Sequence, residues 1–303
     1  MAGGRIAGAT FGEWVRLARP FTLTAAAVPV LFGTALALRD GGFSAGPFAA
    51  MLVASLLIQA ATNMFNEYYD ERRGLDTADS VGIAGSIVGG KVAARTVLVA
   101  ALGLYAVAFV LGLYLVAVGG LAILALGLVS ALAGYLYTGG PRPISSTPAS
   151  EATVFVFMGV LIVTIAYAVQ AGGFPPHVIL SALPLGCPVA AILLANNIRD
   201  LEEDTRGGRR TLPIVLGRAG GIAVYRALLA ATYALLGLLV LAGVIPAASL
   251  LALLSLPFAA RLWRGISAST VPARLMPVVK GTSGLHAVFG LLYAAGVAAS
   301  LLL

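Results

Sequence analysis

The sequence has little charge: only 10% of its 303 residues are Asp, Glu, Lys or Arg, whereas 60% are hydrophobic. Soluble globular domains typically carry about 25% charged residues, so this composition excludes a water-soluble enzyme and a disordered chain. The single cysteine, Cys187, excludes an internal disulfide, and with only two histidines we expect no zinc or haem site. A polytopic membrane protein is the class that remains, in keeping with a mean hydropathy of +0.99.

Nine apolar runs, separated by breaks rich in Gly and Pro, are long enough to cross a bilayer. Because the runs are continuously apolar rather than alternating, they favour helices over a β-barrel. We therefore predict an all-α integral membrane protein, with nine transmembrane helices in one bundle and a single domain over residues 1–303. The predicted spans are residues 20–38, 48–67, 95–118, 121–137, 152–171, 177–197, 220–243, 245–263 and 284–303.

The basic residues are distributed asymmetrically between the two sets of loops. Of the 19 Lys and Arg residues, 17 lie on the side that holds the N-terminus, and the exceptions are Arg39 and Arg226. The positive-inside rule then predicts a cytoplasmic N-terminus and a polar cap of loops on the cytoplasmic side. The same rule accounts for the net charge of +7 without a nucleic-acid partner. We expect a multi-pass protein of the plasma membrane if the source is prokaryotic.

Most of the 12 acidic residues lie in two clusters, at residues 67–79 and 200–204, each following a predicted helix exit on the cytoplasmic side. Packed carboxylates repel one another unless a cation balances them. Mg²⁺ suits such oxygen ligands, since it takes one or two carboxylates together with substrate phosphate oxygens. Asn and Asp recur at intervals of four, which places them on one helix face: Asn66 and Asp70 in the first cluster, Asn196, Asp200 and Asp204 in the second.

Basic side chains interleave with these acids and can contact phosphate oxygens that no metal binds. A substrate with a diphosphate head and a long apolar tail suits a site between this surface and an apolar helix bundle, facing the cytoplasm. Each basic residue also fits an ordinary loop charge on the cytoplasmic side. The diphosphate-binding candidates are Arg72, Lys91, Arg142, Arg199, Arg206 and Arg210, and Arg73 and Arg209 lie in the same stretches.

These motifs resemble those of the UbiA superfamily of intramembrane aromatic prenyltransferases, and the resemblance covers nearly the whole chain. The motif at residues 196–211 carries the family's D-x3-D-x3-G-x2-T pattern, beginning at Asp200. The motif at residues 66–76 departs from the general N-D-x2-D-x3-D form, because Glu67 replaces an Asp and Asp76 stands two places beyond the usual third acid.

The displaced acid makes this motif similar to that of the branch that prenylates 1,4-dihydroxy-2-naphthoate in menaquinone synthesis. Residues 19–20, 79–86 and 137–141 also resemble that branch. The resemblance implies Mg²⁺-dependent transfer of a polyprenyl group from its diphosphate to the ring, with loss of CO₂, to give a demethylmenaquinol. It also implies site residues: Asp70, Asp76, Asp200, Asp204 and Asn66 on Mg²⁺, Asn196 assisting at the diphosphate, and Tyr68, Tyr69 and Tyr137 as candidates to face the carbocation or the ring.

Three other interpretations stay open at this point. The same chemistry could serve another acceptor: 4-hydroxybenzoate, a homogentisate-like ring, a haem vinyl group or a glycerol phosphate lipid. A transporter would place ionisable groups near the bilayer midplane, whereas these acids lie at helix exits. A non-catalytic scaffold would leave two matching acidic motifs without a role. The oligomeric state is not predicted.

Overall fold

The structure, a computed structural model, describes residues 10–74 and 85–301. Its regular elements in these ranges are all helical, because apolar segments in a bilayer satisfy their backbone polar groups most readily within the segment. A short amphipathic helix comes first, and four longer helices follow it. The bounds are α1 Phe11–Ala18, α2 Thr24–Arg39, α3 Ala45–Arg72, α4 Ala94–Gly119 and α5 Leu121–Thr138.

The second half of the chain contains less regular helices. Between α6 and α7 the chain passes through one π-helical stretch without leaving the helix, and a 3₁₀ stretch precedes α11. The bounds are α6 Ser150–Val154, the π-helical Phe155–Leu161, α7 Ile162–Ala171, α8 Pro176–Arg199, α9 Leu201–Arg206, α10 Leu212–Leu241, the 3₁₀ stretch Ala247–Ser255, α11 Leu256–Gly265 and α12 Pro272–Ala299.

A helical segment lies at each of the nine predicted places. In the described part of the chain, seven helices are long and apolar enough to cross a membrane, or eight if the bent pair formed by residues 11–39 counts as one span. That pair bends by 51°. The predicted start of the first span, at residue 20, is four residues early. Pro20 disfavours helix at Arg19, which has a φ of 50°, so the chain turns before α2 begins.

The predicted bounds of the last three spans also need correction. The span predicted at 245–263 is a 3₁₀ stretch followed by α11, because Pro257 in the first turn of α11 has no N–H for a continuous α-helical ladder. The helix predicted from residue 220 already begins at Leu212, with a break at Gly217, where φ is 73°. The helix predicted from residue 284 begins at Pro272, since it continues past the apolar run into a polar first turn.

The core lies where α12 packs against α2, α8 and the 3₁₀ stretch. Phe32 and Tyr293 stack there with ring centroids 4.1 Å apart. The π-helical stretch meets α8 closely: a Cβ atom at Gly159 would lie 2.3 Å from the Cα of Gly186, so only glycine fits. In the most apolar part of α8, 78% of the residues are buried, whereas only 11% are buried in the corresponding part of α5. The second acidic motif begins at the end of the central α8 and continues beyond it, while α4 and α5 form an outer wall.

Candidate active site

The two acidic motifs meet at one end of the bundle. Asp70 lies in the last turn of α3, and Asp204 lies in α9, just after α8 ends. Arg209 joins them, donating from Nη2 to Asp70 Oδ1 at 2.9 Å and from Nη1 to Asp204 Oδ1 at 3.1 Å. The two motifs, which share the same four-residue spacing in the sequence, therefore meet at one site in the fold.

Asp200 is held by a second arginine. Arg199, whose residue surface is 5% exposed, donates from Nε to Asp200 Oδ1 at 2.6 Å and from Nη2 to Asp200 Oδ2. Such a two-bond pair between a guanidinium and a carboxylate fixes both groups in one plane. Arg199 is thus a cation inside the site and not only a loop charge.

Asp204 retains an oxygen that can accept a further ligand. The residue is buried, and its Oδ2 atom has no hydrogen-bond partner among the described residues. Burial raises the pKa of the Asp204 carboxyl to about 6, with the negative charges of Asp200 and Asp70 adding to the rise and Arg209 opposing it. A cation placed among these oxygens would stabilise the ionised form.

A cavity of about 550 Å³ runs from this charged end into the apolar part of the bundle. Helices α3, α4, α5 and α8 contribute to its wall. At the charged end the wall includes Asn66, Asp70, Tyr137, Asn196, Asn197, Arg199, Asp200, Glu203, Asp204 and Arg209. Deeper in, it includes Met51, Phe109, Leu113, Val116, Ile123, Leu128 and Met158. One end of the cavity thus suits a polyanion, and the rest suits a hydrocarbon chain.

Several predicted diphosphate ligands lie elsewhere. Arg72 donates to the Tyr68 hydroxyl at 2.9 Å, and Lys91 pairs with Glu13 at 3.2 Å. Arg206 is exposed and donates to the Glu202 carbonyl oxygen. The described cavity wall does not include these three, nor does it include Tyr69, Arg142 or Arg210. Arg142 and Arg210 are exposed, and Tyr69 packs against Phe65 and Tyr68. Their assignment to the substrate remains a prediction.

The first motif is described only in part. Asp76, predicted as a metal ligand, lies outside the described residues. Glu67, which stands where the general motif has Asp, is buried, and its Oε1 accepts three backbone N–H groups: Gly85 at 3.2 Å, Ser86 at 2.7 Å and Ile87 at 3.2 Å. Glu67 therefore anchors residues 85–87 to α3.

Three residues of this region were not among the sequence-predicted site residues. Arg209 lies inside the second motif, but the predicted diphosphate ligands there are its neighbours Arg206 and Arg210, because spacing alone does not show which basic side chain turns inward. Asn197 directly follows Asn196, so the same motif points to it as a site residue. Glu151 hydrogen-bonds to Asn197 and is buried. The available signal was an isolated acid at the edge of an apolar run, which is typical of a functional group in a membrane protein.

The residues at the charged end fit Mg²⁺ by their chemistry. The donors are carboxylate and amide oxygens, the ligands that this ion prefers, and one buried carboxylate oxygen of Asp204 has no partner in the described chain. Within residues 10–74 and 85–301, no three His, Cys, Asp or Glu side chains already form a compact metal cage. Arg209 already bonds to Asp70 and Asp204, so a bound cation would compete with its guanidinium for these carboxylates.

Sequence comparisons agree with the motifs. The model of the UbiA prenyltransferase family matches residues 26–280. The 1,4-dihydroxy-2-naphthoate octaprenyltransferase of Bacillus subtilis is 41% identical over 93% of this chain and 91% of that protein. The protein of the same name from Mycobacterium tuberculosis is 32% identical over 96% of this chain and 98% of its own length.

Comparison with solved structures supports the fold. A UbiA homologue from Archaeoglobus fulgidus bound to GPP and Mg²⁺ matches with a TM-score of 0.64 at 17% identity, over 95% of this chain and 99% of that one. A structure concerning digeranylgeranylglyceryl phosphate synthase matches with a TM-score of 0.63 at 14% identity, over 95% and 98% of the two chains. At these identities the similarity is one of architecture.

Proposed function

Because the chain belongs to the UbiA prenyltransferase family, we propose that it transfers a polyprenyl group from a polyprenyl diphosphate to 1,4-dihydroxy-2-naphthoate, with Mg²⁺ and with loss of CO₂. The names of the relatives from Bacillus subtilis and Mycobacterium tuberculosis support this acceptor. The product would be a demethylmenaquinol, an intermediate of menaquinone synthesis.

The observation that carries the proposal is the cavity in which Asp70, Asp200 and Asp204 lie at the mouth of an apolar pocket. A diphosphate needs cations around it, and a polyprenyl chain needs hydrocarbon around it. Arg199 and Arg209 supply positive charge at the mouth. The apolar walls beyond exclude water from the chain and from the reacting carbon.

Mg²⁺ would be held by Asp70, Asp200 and Asp204 with Asn66, and by Asp76 from the first motif. When bound, it neutralises charge that develops on the departing diphosphate. Arg199 and Arg209 contact diphosphate oxygens as fixed cations. Asn196 assists at the same end. The role of these residues is to bind and orient the leaving group.

The allylic C–O bond breaks, and its electron pair leaves with the diphosphate. The ring carbon that bears the carboxylate attacks the allylic cation to form a C–C bond. Loss of CO₂ returns the electron pair of the C–CO₂ bond to the ring and restores aromaticity. Tyr137 lines the cavity at this end, and the π face of its ring can stabilise the positive carbon.

The arrangement in the membrane is part of the proposal. The 3₁₀ stretch of 9 residues and α11 of 10 residues together extend roughly 33 Å, and the bilayer core is about 30 Å thick. The bent pair formed by α1 and α2 can serve as another crossing, which gives nine. With basic loops on the inner side, the N-terminus and the active site face the cytoplasm. In this proposal, residues 1–303 form a single membrane prenyltransferase domain.

A direct assay tests this function. Purified full-length protein is incubated with labelled geranylgeranyl diphosphate, Mg²⁺ and each of several acceptors, and the products are identified by mass. We expect prenylated product from 1,4-dihydroxy-2-naphthoate, lighter by one CO₂ than the simple adduct. EDTA should stop the reaction, and added Mg²⁺ should restore it. Product only from 4-hydroxybenzoate, a homogentisate-like ring or a glycerol phosphate lipid would reject the proposed acceptor.

A further inference from the structure

Glu151 is a buried carboxylate with no part in the reaction described above. The residue is 5% exposed. Its Oε1 accepts a hydrogen bond from Asn197 Nδ2 at 2.8 Å, and its Oε2 accepts one from Ser150 Oγ at 2.8 Å. Both donors are neutral, whereas taking an ionised carboxylate out of water is costly unless it is well compensated. A carboxylate retained in such surroundings indicates a role beyond packing.

Asn197 connects this carboxylate to the cavity, because the Asn197 side chain belongs to the cavity wall. The two ends of an Asn amide have nearly the same shape but opposite hydrogen-bonding roles. Since the Glu151 oxygen accepts the hydrogen bond, the amide nitrogen of Asn197 is held towards Glu151. The amide oxygen of Asn197 is thereby left as an acceptor for another group.

This acceptor lies at the reactive end of the cavity. Tyr137 belongs to the same wall. Along the chain, Asn197 precedes Asp200 by three residues, so the two side chains are less than one helical turn apart. An aromatic ring that attacks the allylic carbon has to lie in this region, beside the diphosphate.

We propose that the Asn197 side-chain oxygen accepts a hydrogen bond from a hydroxyl group of the aromatic acceptor, and that Glu151 is the positioning residue that orients this oxygen. The inference rests on the proposed function and adds a residue that selects the acceptor. A hydroxyl that donates a hydrogen bond gives electron density to its ring, which favours attack by a ring carbon. A site built to bind a hydroxyl also rejects rings that lack one.

Competition binding tests this selection separately from turnover. The probes are 1-hydroxy-2-naphthoate, 4-hydroxy-2-naphthoate and 2-naphthoate, each measured as a competitor of 1,4-dihydroxy-2-naphthoate on the full-length protein. In the wild type, at least one hydroxynaphthoate should bind about tenfold more tightly than 2-naphthoate, as expected for one hydrogen bond to a buried group. In N197L and E151L that preference should disappear, while the Kd for geranylgeranyl diphosphate stays within about twofold.

The conservative variant E151Q separates orientation from charge. Gln keeps an oxygen that accepts from Asn197, and the Ser150 hydroxyl can rotate to accept from its amide nitrogen, so the preference should stay within about threefold of the wild type. If E151Q lost as much as E151L, orientation by Glu151 would be rejected in favour of a charge effect. Should E151L fail to fold, N197L and E151Q decide the question.

The control is D40N, which changes a carboxylate at the opposite end of the bundle, bound there by Tyr167 and His177. It should leave the hydroxyl preference unchanged. An unchanged preference in N197L, or no preference in the wild type, would overturn the inference even where the wild type prenylates 1,4-dihydroxy-2-naphthoate. Absence of that product from the wild type would instead reject the proposed function.

Discussion

Arg209 and Asp70 form an ion pair of 2.9 Å across 139 residues of sequence, and this pair joins the two halves of the active site. The same guanidinium binds Asp204. It offsets the repulsion between two carboxylates that would otherwise face each other. Because the guanidinium binds one oxygen of each carboxylate that would hold a divalent cation, the two cations should compete for this negative charge.

The first prediction follows from that competition. In the absence of diphosphate, R209M should bind Mg²⁺ more tightly than the wild type, by about three- to tenfold, because one competitor for Asp70 and Asp204 is gone. Thermal unfolding at increasing Mg²⁺ concentration measures this as a larger rise in melting temperature. Product formation should nevertheless fall at least tenfold, since a cation that faces the diphosphate is lost.

Arg210 offers a matched control for Arg209. It is the next residue, but its side chain is exposed and does not belong to the described cavity wall. R210M should change Mg²⁺ binding by less than about twofold. Weaker Mg²⁺ binding in R209M than in R210M would contradict competition.

The second prediction concerns the carboxylates themselves. D70N and D200N each keep the side-chain shape but remove a negative charge from the site. Product formation should fall by about 100-fold or more in each variant, as is typical when a main electrostatic contact of the transition state is removed. The measurement is the initial rate at saturating Mg²⁺, with size-exclusion profiles to verify folding.

Glu202 provides the comparison, because it lies in the same short helix as Asp204 but has an exposed side chain paired with Arg218. E202Q should retain nearly full activity. Full activity in D70N or D200N would reject these residues as Mg²⁺ ligands.

The third prediction concerns pH. Burial raises the pKa of Asp204 to about 6, so below this pH the carboxyl is protonated and Mg²⁺ has to displace the proton. Above it, the carboxylate is already free to bind. The Mg²⁺ concentration for half-maximal activity should therefore rise as pH falls from 6.5 to 5.5, and should change little between pH 7 and 8. An equal requirement at pH 5.5 and 7.5 would contradict this role for Asp204.

The fourth prediction concerns Glu67. Its Oε1 accepts three backbone N–H groups, and two of these, on Ser86 and Ile87, belong to buried residues. E67L would leave them without their acceptor and should lower the free energy of unfolding by about 3 kcal/mol or more, since each unsatisfied buried donor costs about 1–3 kcal/mol. E67Q keeps an accepting oxygen and should lose less than half as much. Thermal unfolding in detergent compares the two, and equal losses would contradict the anchoring role.

The sequence predicted a shared site because both motifs follow helix exits on the same side and repeat Asn and Asp at intervals of four residues. It predicted the apolar segments because a span is defined by the composition of consecutive residues. It did not predict the 3₁₀ stretch before α11 or the early start of α12. Those depend on where prolines interrupt backbone hydrogen bonding and on how far a helix continues past its apolar part.

The sequence alone does not show which of Arg209 and Arg210 faces the cavity. Adjacent residues at the end of a short helix point in different directions, and the direction is set by the turn at Gly208, where φ is 75°. Likewise, the sequence shows only that Glu67 replaces an Asp of the general motif, whereas its hydrogen-bond partners lie 18 to 20 residues later in the chain. Long-range partners of this kind are set by the packed fold.

The cavity that joins the acidic mouth to the outer helices α4 and α5 also determines how the two products part. Diphosphate is soluble in water and leaves through the charged end, whereas the prenylated ring is soluble in lipid and leaves along the hydrocarbon wall. Each product enters a different phase on release. Their recombination is therefore opposed by partitioning alone.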